Sequence, residues 1–283
     1  MNILHKTVVV PDNANIFFVG DIHGEYDMLM EVLRLSGFNE KTDYVFGVGD
    51  LIDRGPKNLQ VLAKFLYNPR FHTVRGNHDE FMMYGDYGNW MYNGGSWALM
   101  EGEMDDNTIM EIAKDMLAKL PLFMTVEHRG NRYGIVHAGI PFKYKETGNE
   151  VCTPNWDVIT DPDNIEELRK YGELEPFTWD RYVIQEIAFG MVKDGLDRGH
   201  KYFERYAGFK EELRVTVPGV VGVDYVFHGH TGVPFPIKHE NRVYIDTGGT
   251  FNGRMTCVAV ALNGQLIATT TDPSDPCGEV EIL

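Results

Sequence analysis

The chain has 283 residues, 43% hydrophobic and 24% charged, which is enough apolar material for a large core and excludes a disordered chain. Its formal net charge of −16, with no local basic stripe, disfavours a nucleic-acid partner, and apolar runs such as Val8 to Val10 and Ile16 to Val19 fall far short of the roughly 20 residues that cross a bilayer. Three widely spaced cysteines, Cys152, Cys257 and Cys277, offer neither a disulfide framework nor a Cys-x-x-Cys metal knuckle. A reducing cytoplasm is expected. Met1 to Lys6 lacks a charged head followed by an apolar signal core, so no export is expected.

In chain order, the apolar run Ile16 to Val19 predicts a first strand. Tyr26 to Ser36 follows as a helix with Leu29, Val32 and Leu33 on one face and Gly37 as its stop. Tyr44 to Val48 is the next strand, Leu59 to Tyr67 a helix ending before Pro69, and His72 to Val74 a third strand. Thr108 to Leu120 is the clearest helix, with Ile109, Ile112, Ala113, Met116, Leu117 and Leu120 on one face and Pro121 as terminator. Further strands are read at Tyr133 to Val136, Tyr225 to Phe227, Val243 to Ile245 and Met255 to Ala261. Between them, residues 184–222 mix a helical apolar pattern (Ile184, Ile187, Ala188, Met191) with charged segments and are expected as an insertion over the surface, shaping a groove or lid. The alternation is that of an α/β protein, and without repeat, low-complexity tract or linker it reads as one domain over residues 1–283.

Five short motifs, most of them at predicted strand ends, carry the chemistry: Gly20-Asp21-Ile22-His23-Gly24, Gly49-Asp50-Leu51-Ile52-Asp53-Arg54-Gly55, Gly76-Asn77-His78-Asp79, His137-Ala138-Gly139 and Gly229-His230-Thr231. Open α/β sheets bind ligands at the carboxyl ends of strands, and glycines let the backbone turn sharply there. Asp21 and His23 stand two apart, so an extended segment points both to one side, where they can grip a single ion. Asp50 offers two oxygens and is the natural bridge between two ions, while Asn77, His137 and His230 can complete the second ion's ligand set with a neutral oxygen and two imidazoles. Oxygen and imidazole without thiolate suit Mn, Fe, Zn, Ni or Co better than Ca, with Mg a poorer match. The residues do not choose among these metals; manganese is the one expected to activate the protein in vitro. One such motif reads equally well as an ordinary turn, but a complete ligand set in order does not.

Gly-Asp-x-His-Gly, Gly-Asp-x-x-Asp-Arg-Gly and Gly-Asn-His-Asp, in this order, resemble the calcineurin-like metallophosphoesterases. Asp53-Arg54-Gly55 resembles the serine/threonine protein phosphatase branch, and Asn93-Gly94-Gly95-Ser96-Trp97, Leu120-Pro121-Leu122 and Tyr244-Ile245-Asp246-Thr247-Gly248 resemble its phage lambda-type and bacterial members. The resemblance runs from about residue 16 to 256, interrupted at 184–222. It implies a four-layer α/β/β/α sandwich with mixed sheets. It further implies that Asp21, His23 and Asp50 hold one divalent metal and that Asp50, Asn77, His137 and His230 hold the other. His78 is then the general acid, Asp53 its carboxylate partner, and Arg54 and Arg181 bind the phosphoryl group. The implied reaction is phosphomonoester hydrolysis by a metal-bound hydroxide, on phosphoserine and phosphothreonine of a phosphoprotein or phosphopeptide. Oligomeric state is not legible.

Two residues depart from the pattern: Asp79 stands where these phosphatases usually have Glu, and His228 precedes His230 where no ligand is implied, so it is read as a supporting group or an alternative ligand. His5, His72, His128, His200 and His239 are expected on the surface or in packing. Trp90, Trp97, Trp156 and Trp179 are expected as core or pocket wall, and Asn93-Gly94-Gly95 as a plain turn. Competing readings are a symmetrical dinucleoside polyphosphate hydrolase, a phosphodiesterase, and a catalytically silent binding module. Asp53 speaks against the first, because the resemblance places Ala there in the familiar diadenosine tetraphosphatases.

Overall fold

The computed structural model describes residues 4–100, 106–144, 151–209, 216–271, 279–280 and 282. The strands are β1 (His5–Val9), β2 (Ile16–Val19), β3 (Tyr44–Gly47), β4 (Phe71–Thr73), β5 (Phe123–His128), β6 (Asn131–Val136), β7 (Lys143–Tyr144), β8 (Val151–Cys152), β9 (Tyr225–His228), β10 (Ile237–His239), β11 (Arg242–Tyr244), β12 (Thr256–Val260), β13 (Leu266–Thr270) and β14 (Glu279–Val280). Two six-stranded sheets result, ordered β1-β5-β6-β9-β11-β10 and β14-β13-β12-β2-β3-β4, with β7 and β8 forming a separate ribbon. The helices are α1 (Tyr26–Leu35), α2 (Asn58–Tyr67), α3 (Asn77–Tyr84), α4 (Tyr87–Tyr92), α5 (Trp97–Met100), α6 (Asp106–Leu117), α7 (Trp156–Ile159), α8 (Pro162–Lys170), α9 (Pro176–Trp179), α10 (Tyr182–Asp194) and α11 (Gly249–Asn252).

The two-residue period of a strand explains the layering. In β2, Ile16 and Phe18 enter the core between the sheets, while Phe17 and Val19 face the helices. In β3, Phe46 points between the sheets and Val45 to the helix side. Phe227 of β9 meets Phe18 from the opposite sheet as a stacked pair with centroids 3.7 Å apart. One outer face carries α1, α2, α3 and α6 through Leu29, Leu33, Val61, Phe65, Phe81 and Leu117. The other carries α10, and Trp156 packs where Gly134 leaves room: a Cβ there would lie 2.9 Å from the indole. These four layers are the expected α/β/β/α sandwich.

Three differences from the sequence reading have physical causes. On α6, Ala113, Met116 and Leu117 are buried, but Ile112 is 41% exposed, because the apolar stripe is wider than the contact; the side chain of Ile109 lies outside the described residues. Strands β1, β5, β10 and β13 went unread because most carry a polar outer face that dilutes the apolar run. Residues 184–222, expected over the surface, begin as a core layer: Val183, Ile184, Ile187, Ala188 and Met191 of α10 pack with Phe203, Val217 and Tyr244. Among the described residues no helix is long and apolar enough to cross a membrane.

Strands β2, β3 and β4 run parallel, as do β6, β9 and β11, so the carboxyl ends of each set open at one edge of their sheet. All five motifs begin at those ends.

Candidate active site

The turns that end β2, β3 and β9 are held in a conformation that side chains avoid. Among the described residues eight non-glycines have positive φ, and five of them are His23, Asp50, Asp53, Arg54 and His230, so the strain is concentrated where the candidate site is. Close approach fixes the glycines beside them: a Cβ on Gly76 would lie 2.1 Å from Asp50 Oδ1, and one on Gly229 would lie 2.0 Å from Asp21 Oδ1.

Asp50 stands at the centre. Its Oδ2 lies 3.5 Å from His23 Nε2 and 3.4 Å from His137 Nε2. His23 Nδ1 donates to Ile52 O at 2.9 Å and His137 Nδ1 to Val48 O at 2.8 Å, which turns the Nε2 lone pair of each ring inward. His230 Nε2 donates to Trp179 O at 3.2 Å, leaving Nδ1 2.9 Å from Asn77 Oδ1, which is also 3.0 Å from His137 Nε2. Electron pairs thus face electron pairs, with their protons committed elsewhere, which is the donor set of a cation. Ligand atoms of His23, Asp50 and His78 lie within 4.8 Å of one another, as do those of Asp50, His137 and His230. The two groups share Asp50, and the first holds His78 in the place where Asp21 was expected. Asp21 closes the same wall, its carboxylate accepting from the His230 amide at 3.0 Å.

The electrostatics agree. Burial and the nearby Asp246 carboxylate raise Asp21 well above the ordinary carboxylate range. Burial opposes the charge of Asp50, yet His137, His78 and His23 hold it well below that range. Burial likewise opposes a charged His137, but Asp50 and Asp21 push it up to about 10, so with no cation bound its inward Nε2 holds a proton, which a metal ion bound there would replace. A buried cluster this rich in carboxylates requires positive charge, and divalent ions supply it.

Beside this centre, His78 Nδ1 donates to Asp53 Oδ2 at 2.7 Å. Arg54 spans the mouth, donating through Nη1 to His23 Nε2 at 2.5 Å and through Nη2 to His78 Nε2 at 2.8 Å. Arg181, just before α10, donates to His230 O at 3.3 Å and Thr231 Oγ1 at 3.2 Å and lines the same pocket. The structure therefore brings all ten expected residues into one pocket or its immediate wall.

Further residues stand behind this centre. Asp79 accepts from the amides of Asp50, Leu51 and Gly76 at 3.0, 3.1 and 2.8 Å, tying the β3 turn to the β4 turn and capping α3. Burial and the Asp50 charge push its carboxyl up to about 8 against those donors. His228 is a supporting group: Nδ1 donates to Ala138 O at 2.7 Å, holding the turn after His137, while burial depresses the ring to about 3. Asp246 accepts from Gly248 N at 2.8 Å within its own loop and borders the pocket. His200, expected on the surface or in packing, is exposed and lines the pocket with Tyr202 and Phe251, which no local pattern marks.

The calcineurin-like phosphoesterase family model matches residues 14–234, including every motif that builds this centre. The chain belongs to that family. As a calcineurin-like phosphoesterase it is a metal-dependent hydrolase of phosphate esters. It is 28% identical over 249 residues to serine/threonine-protein phosphatase 2 of Escherichia coli, covering 86% of this chain and 91% of that one. It is also 29% identical over 171 residues to the symmetrical bis(5'-nucleosyl)-tetraphosphatase of Nitrosococcus oceani, covering 58% of each. A solved protein serine/threonine phosphatase from Saccharomyces cerevisiae superposes with a TM-score of 0.55 at 12% identity, over 95% of this chain and 83% of that one, and shares the fold.

Proposed function

We propose that this phosphoesterase is a phosphomonoesterase that releases phosphate from phosphoserine and phosphothreonine of protein substrates. The observation that carries the reading is the buried Asp53–His78 pair at 2.7 Å, with Arg54 against it. A serine or threonine alkoxide is a poor leaving group and needs a proton as the P–O bond breaks. With Nδ1–H committed to Asp53, His78 exchanges protons only at Nε2, the nitrogen that faces Arg54 and the pocket. Arg54 and Arg181 present planar guanidinium forks to the phosphoryl oxygens from two sides of the pocket. Two divalent ions, when bound by Asp21, His23, Asp50, Asn77, His137 and His230, supply charge stabilisation and activate water; manganese is the ion proposed for activation. The similarity to the Escherichia coli phosphatase over most of both chains supports the protein substrate.

A second reading, hydrolysis of symmetrical dinucleoside polyphosphates, draws on the Nitrosococcus oceani relative and on Phe251. That ring is 74% exposed and lies 4.9 Å from the Arg54 guanidinium, a face on which a base can stack. The separating test is turnover by metal-stripped protein reloaded with Mn on p-nitrophenyl phosphate, a phosphoserine peptide, bis-p-nitrophenyl phosphate and diadenosine tetraphosphate. Monoester and phosphopeptide turnover, reduced about 10²- to 10⁴-fold in His78→Asn, is expected. Preference for diadenosine tetraphosphate transfers the function to the second reading, and metal uptake without turnover rejects both.

A further inference from the structure

Asp53 is fully buried, yet its carboxylate receives three side-chain donors. Trp90 Nε1 and Trp97 Nε1 both donate to Oδ1, at 2.7 and 2.8 Å, and His78 Nδ1 donates to Oδ2 at 2.7 Å. The two indoles are themselves buried and meet edge to face, with centroids 6.2 Å apart at 86°. An indole N–H is a donor only, so neither ring can take a proton from the carboxyl or offer it another acceptor. Oδ1 is saturated by rigid aromatic partners, and rotation of the carboxylate about its own bond breaks all three hydrogen bonds together. Asp53 also holds φ at 79°, a conformation that only surrounding contacts can enforce on a side-chain-bearing residue.

The turn between the two tryptophans builds this arrangement. A Cβ on Gly95 would lie 2.5 Å from the Trp90 ring, and Gly94, at φ 108°, gives its carbonyl to Arg54 N at 3.1 Å. The Asn93-Gly94-Gly95 segment thus seats Trp90 of α4 and Trp97 of α5 on one oxygen while anchoring the Arg54 backbone.

We propose that Trp90 and Trp97 are positioning residues that clamp Asp53, so that Oδ2 alone meets His78 and aims its Nε2 at the departing oxygen. This rests on the reading of His78 as proton donor in the proposed function. The alternative is that the rings only fill the core.

The Mn-loaded full chain and its Trp90→Phe and Trp97→Phe variants, which keep ring bulk but lose the N–H, are compared on phenyl phosphate and p-nitrophenyl phosphate. Phenolate, with a conjugate-acid pKa of about 10, needs the proton more than the weakly basic p-nitrophenolate. The clamp predicts a kcat loss on phenyl phosphate that exceeds the loss on p-nitrophenyl phosphate by about ten-fold, part of what a general acid contributes. Equal losses on both substrates, or none on either, overturn it. A second measurement does not need turnover: with the indole nitrogens labelled with 15N, Asp53→Asn is expected to move the Trp90 and Trp97 N–H signals upfield. Trp156, which donates to Thr125 Oγ1, stays as the internal control. Unmoved Trp90 and Trp97 signals refute the clamp, whereas absent monoester turnover in the parent chain with shifted signals refutes the functional reading and leaves the clamp standing.

Discussion

Asp79 shows how much one carboxylate can hold. It gathers three backbone amides from two different turns, and the carbonyl chemistry of Asn at the same place would leave an NH₂ facing one of those donors. Asp79→Asn is therefore expected to weaken Mn binding about 10- to 100-fold, the usual cost of losing a support behind a ligand, as read by calorimetric titration. Affinity equal to the parent's would show that the turns hold themselves. His72 makes a prediction about pH. Burial, with Lys6 nearby, lowers its imidazole from the ordinary 6.5 to about 4, and the ring stacks on Phe46 with centroids 5.5 Å apart. Between those two pH values the unfolded chain binds a proton that the folded chain refuses, so this contribution to stability is intact above 6.5 and is lost as pH falls toward 4. His72→Phe keeps the stacking and removes the proton. The fall in Tm between pH 6.5 and 4 should be smaller in this variant than in the parent; parallel curves would contradict the assignment.

At the scale of elements, α10 decides what the 184–222 stretch is. Its apolar positions fall at helical spacing and meet the outer face of the sheet through Tyr244, while Arg181, immediately before its first turn, lines the pocket. Ile187 is 2% exposed, and Ile187→Ala is expected to cost about 2–5 kcal/mol in urea unfolding, the range for emptying a packed aliphatic site. A change under about 0.5 kcal/mol would belong to a surface position and would return the helix to the solvent side. The βαβ connections that carry α1 and α2 were legible, because each pairs a short apolar run with a helical period and a Gly or Pro stop. The helices α4 and α5 were not. Each is a turn or so long, with no amphipathic period, and they are seated by contacts to Asp53 and Trp90 rather than by propensity.

For the molecule as a whole, the clustered charge matters most. Asp21, Asp50, Asp79 and Asp246 lie buried together, so chelation of divalent ions should lower Tm and reloading should restore it, by about 2.7 kcal/mol of stability at a hundred-fold excess over Kd. A Tm that does not respond to chelation would remove the basis for the metal sites. The net charge of −16 acts at longer range. Phosphopeptides flanked by Lys should show higher kcat/KM than those flanked by Glu, and the gap should narrow with salt as screening shortens the field. What the sequence by itself determined is the candidate ligand set and the strand ends that carry it. Both are written locally, in residues a few positions apart around sharp turns, and parallel strands of each sheet bring such turns to one edge whatever the distance between them in the chain. What only the tertiary structure decided is which side chains stand behind those ligands. Trp90 and Trp97 lie 37 and 44 residues from Asp53, His228 reaches a carbonyl 90 residues away, and Asp79 spans two turns. Such contacts leave no periodicity or spacing in the chain, because a buried donor is selected by the acceptor that folding places against it.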